Sequence, residues 1–328
     1  MGSEATVDEE RIDPSLLHHA GGAAEDSIVA RVVWYYYMGG MTQQAIAERL
    51  GVTRLKVNRI IGQARADGSV RIEVRLPLAR CIALEEQLVA RHGLQAASVI
   101  PSVEDLEDRQ AQIGEAAGAM LDPLLTDGVG LGVGWGRTLR AATRRLTPRR
   151  LAGSYVTSLM GGLTRASGVN TFEVAADYAD HLGAECYYFV APLFCPSEES
   201  RTALLTHNGL SQVMRRAREG TIAMVSSGDL SPLSLLAATQ TISENMDSLR
   251  DAGAIGDLLG VFLNEDGQPV DHPLNHCVMS LTPTELKAYP ISILASGGLN
   301  KLPIIRAILK GGYVTRLVTD EQVAEALL

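Results

Sequence analysis

Thr42-Gln-Gln-Ala-Ile-Ala-Glu-Arg-Leu-Gly-Val-Thr-Arg-Leu-Lys-Val-Asn-Arg-Ile-Ile-Gly-Gln-Ala-Arg65 reads as two short helices around a glycine turn. Thr42 is a good N-cap for a helix running to Leu50, with Ala45, Ile46 and Leu50 on one face. Gly51 turns the chain, Val52 fills the angle between the helices, and Thr53 caps the second helix. There Leu55, Val57, Ile60 and Ile61 are expected to point inward or partly inward. Arg54, Lys56, Asn58 and Arg59 are left outside near the helix start, where a recognition helix meets base edges and phosphates. This is the pattern of a helix-turn-helix, so double-stranded operator DNA is the expected partner. Gln43 and Thr53 complete the DNA-binding candidates. Upstream, Ile28, Val32, Val33, Tyr36 and Tyr37 suggest a supporting helix, and the alternation over 68–75 suggests a small hairpin or wing ending at Pro77.

Charge separates this reading from an ordinary helical hairpin in a core. Residues 27–80 hold nine Lys/Arg against three Asp/Glu, whereas residues 1–26 carry a net −6 and residues 81–328 a net −9. Phosphates need neutralising only where a duplex docks, so one basic module in an acidic chain fits a sequence-specific regulator. The 328 residues exceed what such a module needs by about 250, room for one large or two small further domains. No apolar run is long enough to span a membrane and the N-terminus is acidic, unlike a signal peptide, so a cytoplasmic protein is expected. Cys81, Cys186, Cys195 and Cys277 show neither CxxC pairing nor metal-ligand spacing and read as thiols in a reducing compartment. His272, His276 and Cys277 come nearest to a metal cluster, but their spacing departs from zinc sites and no metal is expected. Residues 1–26, polar and acidic with many Gly and Ala, are expected to be a disordered tail. A helix containing Ile82, Leu84, Leu88 and Val89 is expected to connect the basic module to the rest.

From about residue 97 short apolar runs alternate with amphipathic segments. Strands are expected at 97–100, 128–133, 155–159, 185–190, 222–226, 260–263, 291–295 and 317–319. Helices are expected at 109–124, 137–146, 171–182, 210–218 and 301–310. That alternation predicts an α/β domain with a mostly parallel, Rossmann-like sheet, whose ligands sit beyond the carboxyl ends of the strands. Glycines gather there, in Gly128-Val-Gly-Leu-Gly-Val-Gly-Trp-Gly-Arg-Thr138, Gly161-Gly162 and Gly297-Gly298. Each offers close backbone approach and free N–H groups to an anion or a sugar hydroxyl. The dinucleotide fingerprint fails, because Arg137 stands where the third glycine belongs and no acid follows at the ribose position. No cofactor is expected.

Taken together, Tyr36-Tyr-Met-Gly-Gly-Met-Thr-Gln-Gln-Ala-Ile-Ala47, Gly134-Trp-Gly-Arg-Thr138, Ser158-Leu-Met-Gly-Gly-Leu-Thr164, Gly253-Ala-Ile-Gly-Asp257, Ala295-Ser-Gly-Gly-Leu-Asn-Lys301 and Leu317-Val-Thr-Asp-Glu321 resemble the SorC family of sugar-binding transcriptional regulators. The resemblance spans residues 27–328. Asn170-Thr-Phe-Glu-Val174 and the Trp135 loop look most like regulators of polyol catabolism such as erythritol. The resemblance implies a bacterial regulator with a winged helix-turn-helix domain at 27–77. It implies a sugar-phosphate-isomerase-like α/β domain at 78–328 that binds a sugar, polyol or sugar-phosphate effector and forms dimers or tetramers. By position, the effector would meet Gly134, Trp135, Gly136, Arg137, Thr138, Gly161, Gly162, Asp257, Gly297, Gly298 and Lys301, with Asn170 and Glu173 added from the polyol subgroup. Many family members carry a charged residue before the last lysine, where this chain has Leu299-Asn300.

Each role has a physical reading and a plainer rival. Lys301, one of four lysines, either meets a phosphate or hydroxyl or is a solvated lysine at a helix start. Asp257 either accepts two sugar hydroxyls or caps a helix from Leu258. Trp135 either stacks on a polyol chain or packs in the core. Arg137 begins a helix, a poor place for a cation unless it meets an anion. A sugar-phosphate isomerase or deaminase would share these glycine loops but needs a positioned acid and base, and no such catalytic motif stands out.

Overall fold

The computed structural model describes residues 27–67, 69–70, 78–163 and 170–328. The chain divides into two compact units between Arg75 and Leu76. In the larger, seven strands form one sheet: β1 (Ala96–Ile100), β2 (Gly130–Val133), β3 (Tyr155–Ser158), β4 (Glu185–Tyr187), β5 (Ile222–Val225), β9 (Ile291–Ala295) and β10 (Arg316–Asp320). Their spatial order is β1-β10-β9-β5-β2-β3-β4, with every neighbouring pair parallel. The sequence predicts this because a strand covered on both faces is apolar at nearly every position. Along β5 the residues alternate between two cores. Ile222 and Met224 join the core with Leu131, Val133 and Ile293, while Ala223 and Val225 join the one with Leu294 and Leu317.

Helix α4 (Ala79–His92) precedes β1, and α5 (Leu106–Leu121) and α6 (Arg137–Ala142) pack against each other with little space between them. Gly114 and Gly118 permit this approach. A Cβ on Gly114 would stand 2.3 Å from the Thr138 carbonyl oxygen, and one on Gly118 2.1 Å from that of Ala142. The sequence does not predict the second sheet, a small antiparallel one of β6 (Ser227–Asp229), β7 (Gly256–Leu258) and β8 (Val261–Leu263). The apolar run at 260–263 therefore belongs here and not to the main sheet. Leu259 and Gly260 close the β7–β8 hairpin with φ of 55° and 78°, the left-handed turn that two-residue hairpins use.

The smaller unit holds α1 (27–37), α2 (Gln43–Leu50) and α3 (Arg54–Ala66). Thr42 and Thr53 act as N-caps, accepting from the Ala45 and Lys56 N–H groups at 3.2 Å each. Gly51 takes the left-handed conformation at φ 65°, and its N–H bonds back to α2. Ile46, Ala47, Val57, Ile60 and Ile61 enclose Val32 of α1. One expectation fails: Leu55 points outward and is 79% exposed. The acidic tail, 1–26, and most of the expected wing, 68 and 71–77, lie outside the described residues. No helix among the described residues is long and apolar enough to cross a membrane.

Candidate functional site

The strand order fixes where a ligand cleft can form. From β2 the chain continues outward to β3 and β4, then returns to β5 on the other side of β2. At such a reversal the connections leave in opposite directions and open a crevice at the carboxyl ends. The loop after β2 contributes Trp135, Gly136, Arg137 and Thr138 to that crevice, and the segment after β5 contributes Ser227 and Asp229. Asn300 and Lys301 follow β9, Gln110 comes from α5 and Asp257 from β7. Residues 233–236 close the outer wall around a cavity of about 60 Å³.

Beside the exposed Arg137, three further charged groups converge here. Asp257 and Asp229 are each 5% exposed. The Asp257 carboxylate accepts from the Gly260 N–H at 2.9 Å, tying it to its own hairpin. Across the ladder Gly228 pairs with Asp257, and a Cβ there would stand 2.1 Å from Asp257 Oδ1, so only glycine leaves the carboxylate its place. Asp229 accepts from the Ser231 hydroxyl at 2.9 Å and from the Asn300 side-chain amide. Lys301 Nζ donates to the Ser227 carbonyl at 2.8 Å, its one hydrogen bond among the described residues. An ammonium has three donors, so two remain for a ligand. Burial pushes the Asp257 pKa up to about 6, opposed by the Gly260 N–H and by Lys301. Burial likewise pushes Lys301 down, opposed by Asp229 and Asp257. The cavity thus offers two carboxylates to accept hydroxyl protons, an ammonium to donate, and an indole as an apolar wall.

The expected site residues separate into two groups. Trp135, Gly136, Arg137, Thr138, Asp257 and Lys301 are brought together. Asp257 lies within a strand and caps no helix, so its plainer rival reading fails. Gly134 adjoins the site with its N–H bonded to the Met224 carbonyl at 2.9 Å. Gly161 and Gly162 follow β3, on the far side of β2, and line no part of the cleft. Their N–H groups are not free as expected, since they donate to the Met279 and Ala191 carbonyls at 2.7 and 2.9 Å. Asn170 and Glu173 form the capping box of α7 (Thr171–Leu182), and Asn170 also bonds the Leu163 backbone. Gly297 and Gly298 turn tightly around Asp320, whose carboxylate accepts from the Gly298 N–H at 2.6 Å. Asp229, Ser227, Asn300 and Gln110 are not predicted. Of these only Asn300 carries a signal, as the departure from a charged residue beside Lys301.

In the smaller unit Gln43 Nε2 donates to Asn58 Oδ1 at 3.3 Å, joining α2 to the outer face of α3. Arg54 and Arg59 are exposed, while Lys56 is half-buried. Thr53 uses its hydroxyl in the α3 cap.

A doubly wound domain with a polar, charged cleft at its switch point is built to bind a small polar molecule. Residues 77–328 match the family described as "Putative sugar-binding domain". The chain is 32% identical over 293 residues to the erythritol catabolism regulatory protein EryD of Brucella abortus (strain 2308), covering 88% of this chain and 92% of that protein. It is also 32% identical over 295 residues to the transcriptional regulator LsrR of Escherichia coli (strain K12), covering 88% and 90%. The full-length sorbitol operon regulator SorC from Klebsiella pneumoniae superposes with a TM-score of 0.72 at 25% identity, over 92% of this chain and 99% of that one. The chain belongs to the SorC family of sugar-binding transcriptional regulators. Its role is that of a sugar-responsive regulator, not of an enzyme.

Proposed function

We propose that residues 27–77 form a helix-turn-helix DNA-binding domain and that residues 78–328 bind a sugar, polyol or sugar-phosphate effector that controls operator occupancy. The protein acts in the cytoplasm as a dimer or tetramer on palindromic operators. Arg54, Asn58 and Arg59 address base edges, with Gln43 orienting Asn58, and Lys56 meets phosphate. The observation that carries the effector assignment is the cluster of buried Asp257 and Asp229 with half-buried Lys301, which holds more hydrogen-bonding capacity than the fold uses. Asp257 accepts vicinal hydroxyls, Lys301 and Arg137 meet a hydroxyl or phosphate oxygen, and Trp135 covers the carbon chain. The relationship to an erythritol regulator favours a polyol. Ligand pockets run to about 300 Å³ or more, so on this reading binding requires the 233–236 wall to move outward.

The two functions are coupled because the effector binds two arrangements of the protein unequally. It then changes DNA affinity by the factor by which DNA changes effector affinity, typically about 1 to 3 kcal/mol. A thermal-shift screen of polyols, sugars and their phosphates identifies the ligand class, since a ligand specific to the folded state raises apparent stability. A Lys301→Ala variant should bind operator normally and lose the effector response. A normal response in that variant would remove Lys301 from the site.

A further inference from the structure

We infer that Leu55 reads the C5-methyl group of a thymine in the major groove, a conclusion that rests on the DNA-binding role proposed for α3. Leu55 occupies the second position of α3 and is 79% exposed. The buried residues Val57, Ile60, Ile61 and Ala64 define one side of the helix. At 3.6 residues per turn Leu55 falls almost opposite them, on a line with Arg59 and Gly62. It is therefore no core residue left partly open. The helical phase that buries Val57 holds this apolar side chain out into water.

Its surroundings favour nucleic acid over a protein partner. Arg54, Lys56 and Arg59 lie within about one turn, and α3 contains no acidic residue. An apolar tip with a basic rim complements a groove walled by phosphates. The apolar group that the major groove displays on a base edge is the thymine methyl. Gly62 supplies a second observation on the same line. Among the described residues a Cβ there would meet nothing within 4 Å, so no described contact requires glycine. Glycine inside a helix is unfavourable relative to alanine, and close approach of another backbone along this line accounts for it.

The experiment uses the full chain. Duplexes enriched by the protein from a randomised library define a consensus, and each thymine is then replaced singly by deoxyuridine, which removes only the methyl. Affinities of wild type and Leu55→Ala are measured by fluorescence anisotropy. At one thymine per half-site, wild-type binding should weaken about fourfold on replacement, the value of one buried methyl group. Leu55→Ala should bind the parent duplex at least as weakly and be indifferent to the replacement there. A consensus with no methyl-sensitive thymine, or equal sensitivity in Leu55→Ala, overturns the assignment. If no duplex is enriched and Arg54→Ala binds the unselected library as wild type does, the DNA-binding role of α3 fails first.

Discussion

Replacing Asp257 with Asn should make the protein more stable. Its carboxyl is 5% exposed, and burial raises its pKa from 3.8 to about 6 despite the Gly260 N–H and the Lys301 ammonium. A folded-state pKa above the unfolded value means that the fold prefers the neutral acid. The associated stability is complete below pH 3.8 and is lost as pH rises through about 6. At about 1.4 kcal/mol for each tenfold change in proton affinity, the loss reaches about 3 kcal/mol at neutral pH. Asn keeps an acceptor for the Gly260 N–H, matches Asp in volume and carries no charge. Asp257→Asn should therefore gain about 3 kcal/mol at pH 7.5, roughly half of that at pH 5, and almost nothing by pH 3. Urea titrations of both proteins at each pH provide the comparison, with a midpoint increase of about 1 M at pH 7.5 for ordinary m-values. A variant no more stable than wild type at pH 7.5, or an advantage that does not shrink toward pH 5, refutes the reasoning.

Effector affinity should run the other way with pH: a hydroxyl-binding carboxylate must be ionised, so calorimetry should show roughly tenfold weaker binding at pH 5 than at pH 7.5. Gly114→Ala drives a Cβ to within 2.3 Å of the Thr138 carbonyl oxygen, so it should cost about 1 to 3 kcal/mol in denaturant titration and weaken effector binding by shifting Arg137 and Thr138. Thr53→Ala removes the α3 cap and should lower the stability of the smaller unit by about 1 kcal/mol, read by hydrogen exchange of α3 amides.

The parallel sheet is legible in the sequence because its central strands are short apolar runs, and 291–295 coincides with β9. The small sheet is not, since Ser227-Gly-Asp229 and Gly256-Asp-Leu258 are three residues each and carry no periodic pattern. For the same reason Asp257 reads equally as a cap or a ligand until its strand is known. Leu55 is misread from its residue type, although its two-residue offset from Val57 already places it opposite the buried face. The glycine pairs lie apart from the cleft for a different reason. Gly161-Gly162 and Gly134-Trp-Gly136 look alike locally, and only strand order places one pair away from the switch point. That order is a tertiary property set by crossovers, and no local spacing encodes it.

The contacts around the cleft tie together the loops that an effector would touch. Lys301, after β9, holds the Ser227 carbonyl after β5, and Asn300 holds Asp229. Asp257 faces Gly228 across the β6–β7 ladder, and Leu259 of the same hairpin reaches within 3.4 Å of where a Gly134 Cβ would stand. A ligand that hydrogen-bonded both the Lys301 ammonium and the Asp257 carboxylate would join the segment after β9 to the β7–β8 hairpin, so it could not act on one loop alone. The cost of about 3 kcal/mol attached to the Asp257 charge is comparable to ordinary allosteric coupling energies. An effector that hydrogen-bonds to this carboxylate recovers part of that cost only in the arrangement where its hydroxyls reach it. That difference between arrangements is what coupling requires, and on the proposed assignment it would locate the response in the cost of ionising Asp257.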